Sequence, residues 1–432
     1  MKIAVIGAGV AGLNAAHKLK DIHDVTLFEK EARLGGHSNT KVIDYDGHRI
    51  AVDTGFIIFN VHTYPGLMQL FGELKLPIDK TLMGFSLEHQ GRGISWSSEV
   101  PFGLFAQPQN LFSPRFIRML LSVLYFFNTA RGHIRSRNYA DLTLDQYIRK
   151  LGYGRAFADD FLLPMCAAIW TTPVEQVKTF PVQDILEFWD GHQLLGIFQA
   201  QWLTLHNRSA EYVERLRQSL GPRIKSACPV YEVRRTAEGV RVTHAGGEES
   251  FDQVVFACHA DQALAVLKTP SAAEHDILQH FPYRPSTAIL HRDAAQMPKN
   301  RAAWTSWNYL GAANDPRGDA AQVSVTYWMN RLQTIDVKYP LFVSVNPLTP
   351  VAKDKIFETI AYEHPQFSAA SFRAQERLHM IEGADRIWYC GAWCGFGFHE
   401  DGLISGWEVA ERLGAHIDWP KGVRRRLFRT AA

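Results

Sequence analysis

The sequence predicts an α/β fold in which a nucleotide-binding domain, built from separated stretches of chain, is interleaved with an α+β substrate domain. Three observations carry this. The chain opens with an apolar strand-like run, a glycine-rich turn, a helical stretch and a second apolar run in quick succession. Its middle, from about Phe102 to Ala210, is rich in helix formers and aromatic residues. Strand-like runs then return from Val230 onward and once more near the end, at Arg386–Cys390. A length of 432 residues holds about two to three domains at roughly 100–200 residues each.

In order, Lys2–Ile6 is continuously apolar after the lysine and reads as a buried strand. Gly7-x-Gly9-x-x-Gly12 follows. The first glycine allows a tight turn, the second lets the backbone approach a pyrophosphate, and the third allows close helix–strand packing. Leu13–Leu19 is the helix whose unpaired N–H groups then face the phosphates. Asp24–Phe28 is the second strand, and Glu29 ends it, 22 residues after Gly7. Glu29 is placed to accept hydrogen bonds from ribose hydroxyls, and its charge would repel a 2′-phosphate, which argues against NADP. This is a Rossmann-like βαβ unit. Alone it leaves NAD and FAD both open.

Ser113-Pro114 starts a helix by placing proline in the first turn. Leu142–Leu151 and Arg155–Met165 read as further helices. Val230–Val242 is a hairpin with its turn at Glu238-Gly239, and Phe251–Ala257 is another strand. Thr287–His291, Ala303–Trp307 and Gln322–Tyr327 form a second sheet, and Arg386–Cys390 a last buried strand before a closing helix, Gly402–Leu413. The nucleotide-binding domain therefore takes residues 1–85, 205–270 and 376–420, the substrate domain 86–204 and 271–375, and residues 421–432 form a basic tail.

The composition narrows the function. Hydrophobic residues make up 46% and charged residues 21%, which excludes disorder for most of the chain. Lys plus Arg number 46 and Asp plus Glu 44, so the surface as a whole is not a nucleic-acid surface. Five scattered cysteines form no disulfide framework. Cys390 and Cys394 lack the spacing and histidine partners of a zinc site, so no metal is expected. With no secretory pattern at the start and no apolar run of ~18 residues, the expected place is the cytoplasm. The most apolar stretch, Phe116–Phe127, is interrupted by Arg118. It reads as a buried helix or, alternatively, as one that dips into a membrane.

The segment from Glu29 to His37 reads Glu-Lys-Glu-Ala-Arg-Leu-Gly-Gly-His. It resembles the second FAD signature of the flavin amine oxidase, phytoene desaturase and protoporphyrinogen oxidase superfamily. The resemblance recurs at Asp53-Thr54-Gly55, at Val230, at Val254–His259, at Tyr389-Cys390-Gly391-Ala392 and at Asp401-Gly402-x-x-Ser405-Gly406, about half the chain in all. It implies FAD as cofactor, held by Gly7, Gly9, Gly12, Glu29, Lys30, Arg33, Gly35, Gly36, His37, Val230, Gly391, Asp401 and Gly402. In that role Arg33 would pair with the pyrophosphate, and Gly35 and Gly36 would admit the flavin's phosphate–ribitol arm. Many relatives carry an acid where this chain has Ala392, which leaves the ribitol contact to Asp401 or Glu400. Gly395–Gly402 resembles an uncharacterised bacterial amine-oxidase-like branch associated with fatty-acyl methyl-transfer or cyclopropanation enzymes, which implies a lipid-modifying partner enzyme.

The implied activity is that of an FAD-dependent oxidoreductase which dehydrogenates an apolar substrate by hydride transfer to flavin N5. The substrate is a lipid acyl chain or an amine with a large apolar part. A redox-neutral isomerase or saturase, and a non-catalytic flavin- or lipid-binding accessory protein, are the alternatives. Trp393, Phe396, Phe398, His399 and Glu400, just ahead of the closing helix, would frame the reacting bond, with His399 and Glu400 as acid or base. The expected pocket is apolar and lies between Phe102–Phe127 and Trp393–Glu400. The tail, with Lys421, Arg424, Arg425, Arg426 and Arg429 among Val423, Leu427 and Phe428, suits peripheral contact with an anionic inner membrane surface. Asp401 is expected to cap the closing helix and to contact the flavin.

Overall fold

The computed structural model describes residues 1–99, 101–196, 200–312 and 323–428. A five-stranded parallel sheet has Lys2–Ile6 at its centre. Asp24–Phe28 and Gln253–Phe256 flank it, with Ile224–Lys225 and Ile387–Tyr389 at the two edges. Its strands thus come from the start, middle and end of the chain, and Ile3, Ala4 and Val5 are completely buried, as in a sheet covered on both faces. Helix Val10–Leu19 leaves the first strand, and the closing helix packs against it. Two glycines make that approach possible. A Cβ on Gly406 would lie 2.5 Å from the carbonyl oxygen of Ala11, and one on Gly402 would lie 2.7 Å from Val10 Cγ1.

The hairpin Val230–Arg235 and Val240–His244 forms as expected, with a third antiparallel strand, Gly247–Phe251, added to it. The single strand expected over Phe251–Ala257 is therefore split. Phe251 closes this small sheet and only Gln253–Phe256 joins the parallel one.

The second unit is built on a seven-stranded sheet. In spatial order its strands are Ile356–Pro365, Tyr283–His291, Phe342–Val345, Ser324–Trp328, Trp307–Gly311, Phe85–His89 and Ile94–Ser97. The strand expected over Ala303–Trp307 starts only at Trp307. Asn300 accepts a hydrogen bond from the amide of Ala302 and winds Arg301–Ala303 into a short 3-10 turn instead. Gln322 lies outside the described residues.

The helical layer includes Pro114–Ser136, capped by Ser113 Oγ on the amide of Phe116. It also includes Leu144–Lys150, with a Thr143/Gln146 capping box. The helix expected over Arg155–Met165 widens into a π-turn at Ala158–Leu162 before running on as Leu163–Trp170. Pro164 has no N–H to offer the carbonyl of Asp160, and that carbonyl accepts the Trp96 indole N–H at 3.1 Å instead.

The basic stretch at the end is not a free tail. Arg425 pairs with Glu411 and, at 3.7 Å, with Glu408, while Arg424 reaches Glu187 at 3.6 Å. Leu427 is completely buried. The cause is Glu408, itself buried on the closing helix, which collects the amides of Arg426 and Leu427 at 3.2 and 3.3 Å along with Arg425. Arg429 lies outside the described residues. Among the described residues no helix is long and apolar enough to cross a membrane.

Candidate active site

At the nucleotide end the three glycines of the first turn differ in what surrounds them. A Cβ on Gly7 (φ +106°) would sit 2.8 Å from the carbonyl oxygen of Ala257, and one on Gly12 would sit 1.9 Å from the carbonyl oxygen of Gly7. A Cβ on Gly9 meets nothing within 4 Å. Two glycines are thus closed by protein, and the middle one opens on the space a pyrophosphate needs. The second glycine loop crosses directly above, with a Cβ on Gly36 only 3.2 Å from Gly9 Cα and the Gly35 amide bonded to the Ala8 carbonyl at 2.8 Å.

Glu29 is fixed by the amides of Ala8 (2.8 Å) and Glu31 (2.9 Å). The amide of Cys228 bonds to the Glu29 carbonyl at 2.8 Å, which brings the start of the Val230 strand beside Glu29 and the exposed Lys30. Arg33 lies across its own loop, donating to the carbonyls of Leu34, Ser38 and Gly36 at 2.8–3.1 Å. In this conformation it shapes the loop over Gly9, where a direct pyrophosphate contact was expected.

At the other end the closing helix starts earlier than expected, at His399. Asp401 is the reason. Its Oδ2 accepts the amides of Phe396 and Phe398, both at 3.0 Å, and so ties down the turn that leads into the helix. His399, Glu400 and Asp401 are therefore its first turn and do not precede it. Glu400 accepts the amides of Gly66 (2.6 Å) and Leu67 (2.9 Å) at the start of helix Pro65–Glu73, and burial pushes its carboxyl up to about 8. Both its oxygens are occupied by a helix N-terminus, so the geometry makes it a brace between two helices, where a free acid or base was expected.

Trp393 departs from expectation in the same way. It is buried in the core of the nucleotide-binding unit against Phe281, with ring centroids 4.7 Å apart, and its N–H donates to the Cys258 carbonyl at 3.1 Å. The Gly391 turn packs on it, since a Cβ there would come within 2.5 Å of the indole nitrogen, and Ser405 Oγ accepts the Gly391 amide at 2.9 Å.

His399 stacks on Phe56, and its Nε2 meets Ser38 Oγ at 2.8 Å; Ser38 in turn bonds to Tyr212. Burial pulls the His399 imidazole down to about 3. His37 stacks on Tyr362 with centroids 4.8 Å apart, and His364 lies 5.3 Å away. Burial also holds His37 well below the usual range and His364 at about 4. His37 Nε2 is buried and has no hydrogen-bond partner among the described residues. Sequence reasoning missed Ser38, Phe56, Tyr362 and His364. The signal for the last two was there: they stand two apart on strand Ile356–Pro365, which puts both side chains on one face.

Phe396 and Phe398 pack on Phe188, with centroids 5.4 and 5.1 Å apart, and the Trp170 N–H donates to the Phe396 carbonyl at 3.1 Å. The helical residues that meet this stretch are therefore those around 163–192. Residues Phe102–Phe127, expected there, stand one layer back, where Phe126 packs edge-on against Trp189.

The open cradle at Gly9, the fixed acid at Glu29 and the orphaned nitrogen of His37 fit a bound dinucleotide that runs from the Glu29 end toward His37. Among the described residues no group of three or more His, Cys, Asp or Glu side chains could hold a metal ion.

Several known proteins share this fold. The CLA-producing fatty acid isomerase from P. acnes superposes with a TM-score of 0.69 at 15% identity, over 95% of this chain and 98% of that one. A variant of putrescine oxidase gives 0.68 at 14%, over 95% and 98%. Cyclohexylamine oxidase from Brevibacterium oxydans gives 0.63 at 13%, over 95% and 99%. In sequence, tryptophan 2-monooxygenase of Pantoea agglomerans pv. gypsophilae is 33% identical over 82 residues, 18% of this chain and 12% of that protein. The 4,4'-diapophytoene desaturase of Staphylococcus aureus is 58% identical over 40 residues, 9% of this chain and 8% of that protein. The chain thus matches only about a tenth of the length of these two curated relatives. Residues 10–293, well over half the chain, match the family model described as flavin containing amine oxidoreductase. The chain belongs to that family, and it is an FAD-dependent oxidoreductase.

Proposed function

We propose that the enzyme dehydrogenates a substrate with a large apolar part, either a lipid acyl chain or an amine that carries one. One observation supports this above the others: the surroundings of the first turn of the closing helix are largely aromatic, and the charge packed against them is a cation, the Arg426 guanidinium 4.1 Å from the Phe396 ring centroid. Phe56, Phe188, Phe396 and Phe398 gather there, His37, His364 and His399 are held neutral, and Glu400 and Asp401 are closed off by backbone amides. Such a lining binds alkyl surface by area, at roughly 25 cal/mol per Å² removed from water, and has no free carboxylate for a small, fully charged amine.

Bound FAD supplies the two-electron acceptor. The residues of this chain do the rest. Gly9 and the N-terminus of helix Val10–Leu19 receive the pyrophosphate. Glu29 accepts hydrogen bonds from the ribose, and the segment around Val230 closes over the adenine end. His37, held neutral by burial and with Nε2 unpartnered, is the group able to hydrogen-bond the cofactor at that atom. His399, stacked and tied to Ser38, holds the neighbouring loop in place. Five unpaired cysteines support a reducing, cytoplasmic location, and the lipid form of the reading brings with it a lipid-modifying enzyme that uses the product.

A second reading is isomerisation of an acyl chain with no net oxidation, which draws on the likeness to a fatty acid isomerase along nearly the whole chain. Product mass separates the two. Incubation in air should give, from a fatty acid, a product that lacks two hydrogens and, from a long-chain amine, the imine that lacks two hydrogens or the aldehyde and ammonia formed when water hydrolyses it. An unchanged mass with a displaced double bond would establish the isomerase reading instead.

A further inference from the structure

Helix Pro114–Ser136 has an apolar side in each direction. Phe116, Met119, Phe126 and Ala130 are buried against the protein. On the opposite side Ile117, Leu121, Leu124 and Tyr125 recur at helical spacing and remain in solvent, Leu121 with 61% and Tyr125 with 52% of its surface exposed. Leu111 and Phe112, at the end of the turn that leads into the helix, extend this outward patch, and Phe112 is 87% exposed. An apolar run of this kind on a monomer's surface marks a place where something docks.

The charge around it says what docks. Residues 101–140 contain no Asp or Glu but five arginines, Arg115, Arg118, Arg131, Arg135 and Arg137, in a chain whose acids and bases otherwise nearly balance. Arg115 and Arg131 pair with Asp160 and Asp190, which belong to other segments. Among the described residues Arg118, Arg135 and Arg137 have no ion-pair partner. An exposed apolar strip with arginines beside it and no acid of its own is the chemistry of a helix that lies in the plane of an anionic bilayer. The helix does not cross the bilayer, because its other face belongs to the protein core and its apolar stretch is too short.

We infer that the outward face of Pro114–Ser136, with Leu111 and Phe112, seats the enzyme on an anionic membrane leaflet. The arginines meet the lipid phosphates, and Phe112, Ile117, Leu121 and Leu124 enter the headgroup boundary. This surface is separate from the C-terminal basic stretch, whose described arginines, Arg424, Arg425 and Arg426, are engaged within the protein, and it does not depend on the identity of the substrate.

The test is sedimentation of the full-length, FAD-loaded enzyme with vesicles of phosphatidylcholine alone or mixed with phosphatidylglycerol. Leu121→Glu and the double variant Arg118→Glu/Arg135→Glu change only exposed side chains, and flavin content and melting temperature check that each is folded. The wild type should pellet with the mixed vesicles far more than with neutral ones. Each variant should bind the mixed vesicles at least about tenfold more weakly. Absence of wild-type binding, or equal binding by all three proteins, would overturn the inference. So would light scattering that showed Leu121→Glu splitting a wild-type dimer, since the face would then belong to a second copy of the chain.

Discussion

The imidazole of His399 lies flat on the ring of Phe56, with centroids 4.0 Å apart and planes 11° from parallel. One ring comes from the first turn of the last helix and the other from the segment just after Asp53. The contact therefore joins two stretches of the chain that lie more than 300 residues apart in sequence. It covers one face of the imidazole and leaves the edge, where Nε2 meets Ser38.

This burial has a pH consequence. His399 titrates at about 3 in the folded protein and at about 6.5 when unfolded. A lowered folded value means the unfolded chain takes up the proton first. The stabilising effect is complete above about pH 6.5 and is lost as pH falls toward 3, by up to about 1.4 kcal/mol per pH unit. His364 and His259, both held at about 4, act in the same direction. Urea unfolding between about pH 6 and pH 4 should therefore show a shallower loss of stability in His399→Asn than in the wild type. Parallel curves would mean that His399 is not a buried neutral group.

Gly9→Val should leave a folded protein without flavin. The apoprotein has room for the side chain, because nothing lies within 4 Å of a Cβ there, but the valine would fill the space of the pyrophosphate. The ratio of flavin to protein absorbance reads this directly, and an unchanged ratio would move the cofactor elsewhere.

Gly406→Ala acts on stability, with or without cofactor. The added methyl would sit 2.5 Å from a backbone oxygen of Ala11, so the two helices must part. A cost of about 1–3 kcal/mol is expected, read as a lower urea midpoint. No change would show that the helices are less tightly apposed than described.

Glu400→Gln separates a brace from a catalyst. Loss of one of its two amide contacts should cost about 1–3 kcal/mol of stability, while turnover by the flavin-loaded enzyme stays within a few-fold of wild type. A drop of about a hundredfold, or roughly 2.7 kcal/mol in the barrier, with full flavin content would return Glu400 to the reaction.

The sequence was most legible where function and local pattern coincide. The opening strand, turn and helix could be read because three glycines, an apolar run and Glu29 each constrain a few neighbouring residues. The ring end was harder. Motif position placed Trp393 near the flavin, but which way an indole turns is decided by Phe281 and the Cys258 carbonyl, contacts made only on folding. Tyr362 reaches Asn39 across 323 residues of chain, and no local pattern encodes such a meeting. The tail read as a membrane contact because its arginines stand among apolar residues with no acid among them. Their partners, Glu187, Glu408 and Glu411, sit on two different helices that only the fold brings together.

The central claim, that this enzyme takes hydride from an apolar substrate onto its FAD, is tested most directly by anaerobic titration of the purified yellow protein with long-chain amines and acyl chains. The account predicts that at least one of them bleaches the flavin stoichiometrically and that readmitted oxidant restores the colour. A flavin that stays oxidised with every member of the panel, while the protein still binds or rearranges the chain, would contradict it.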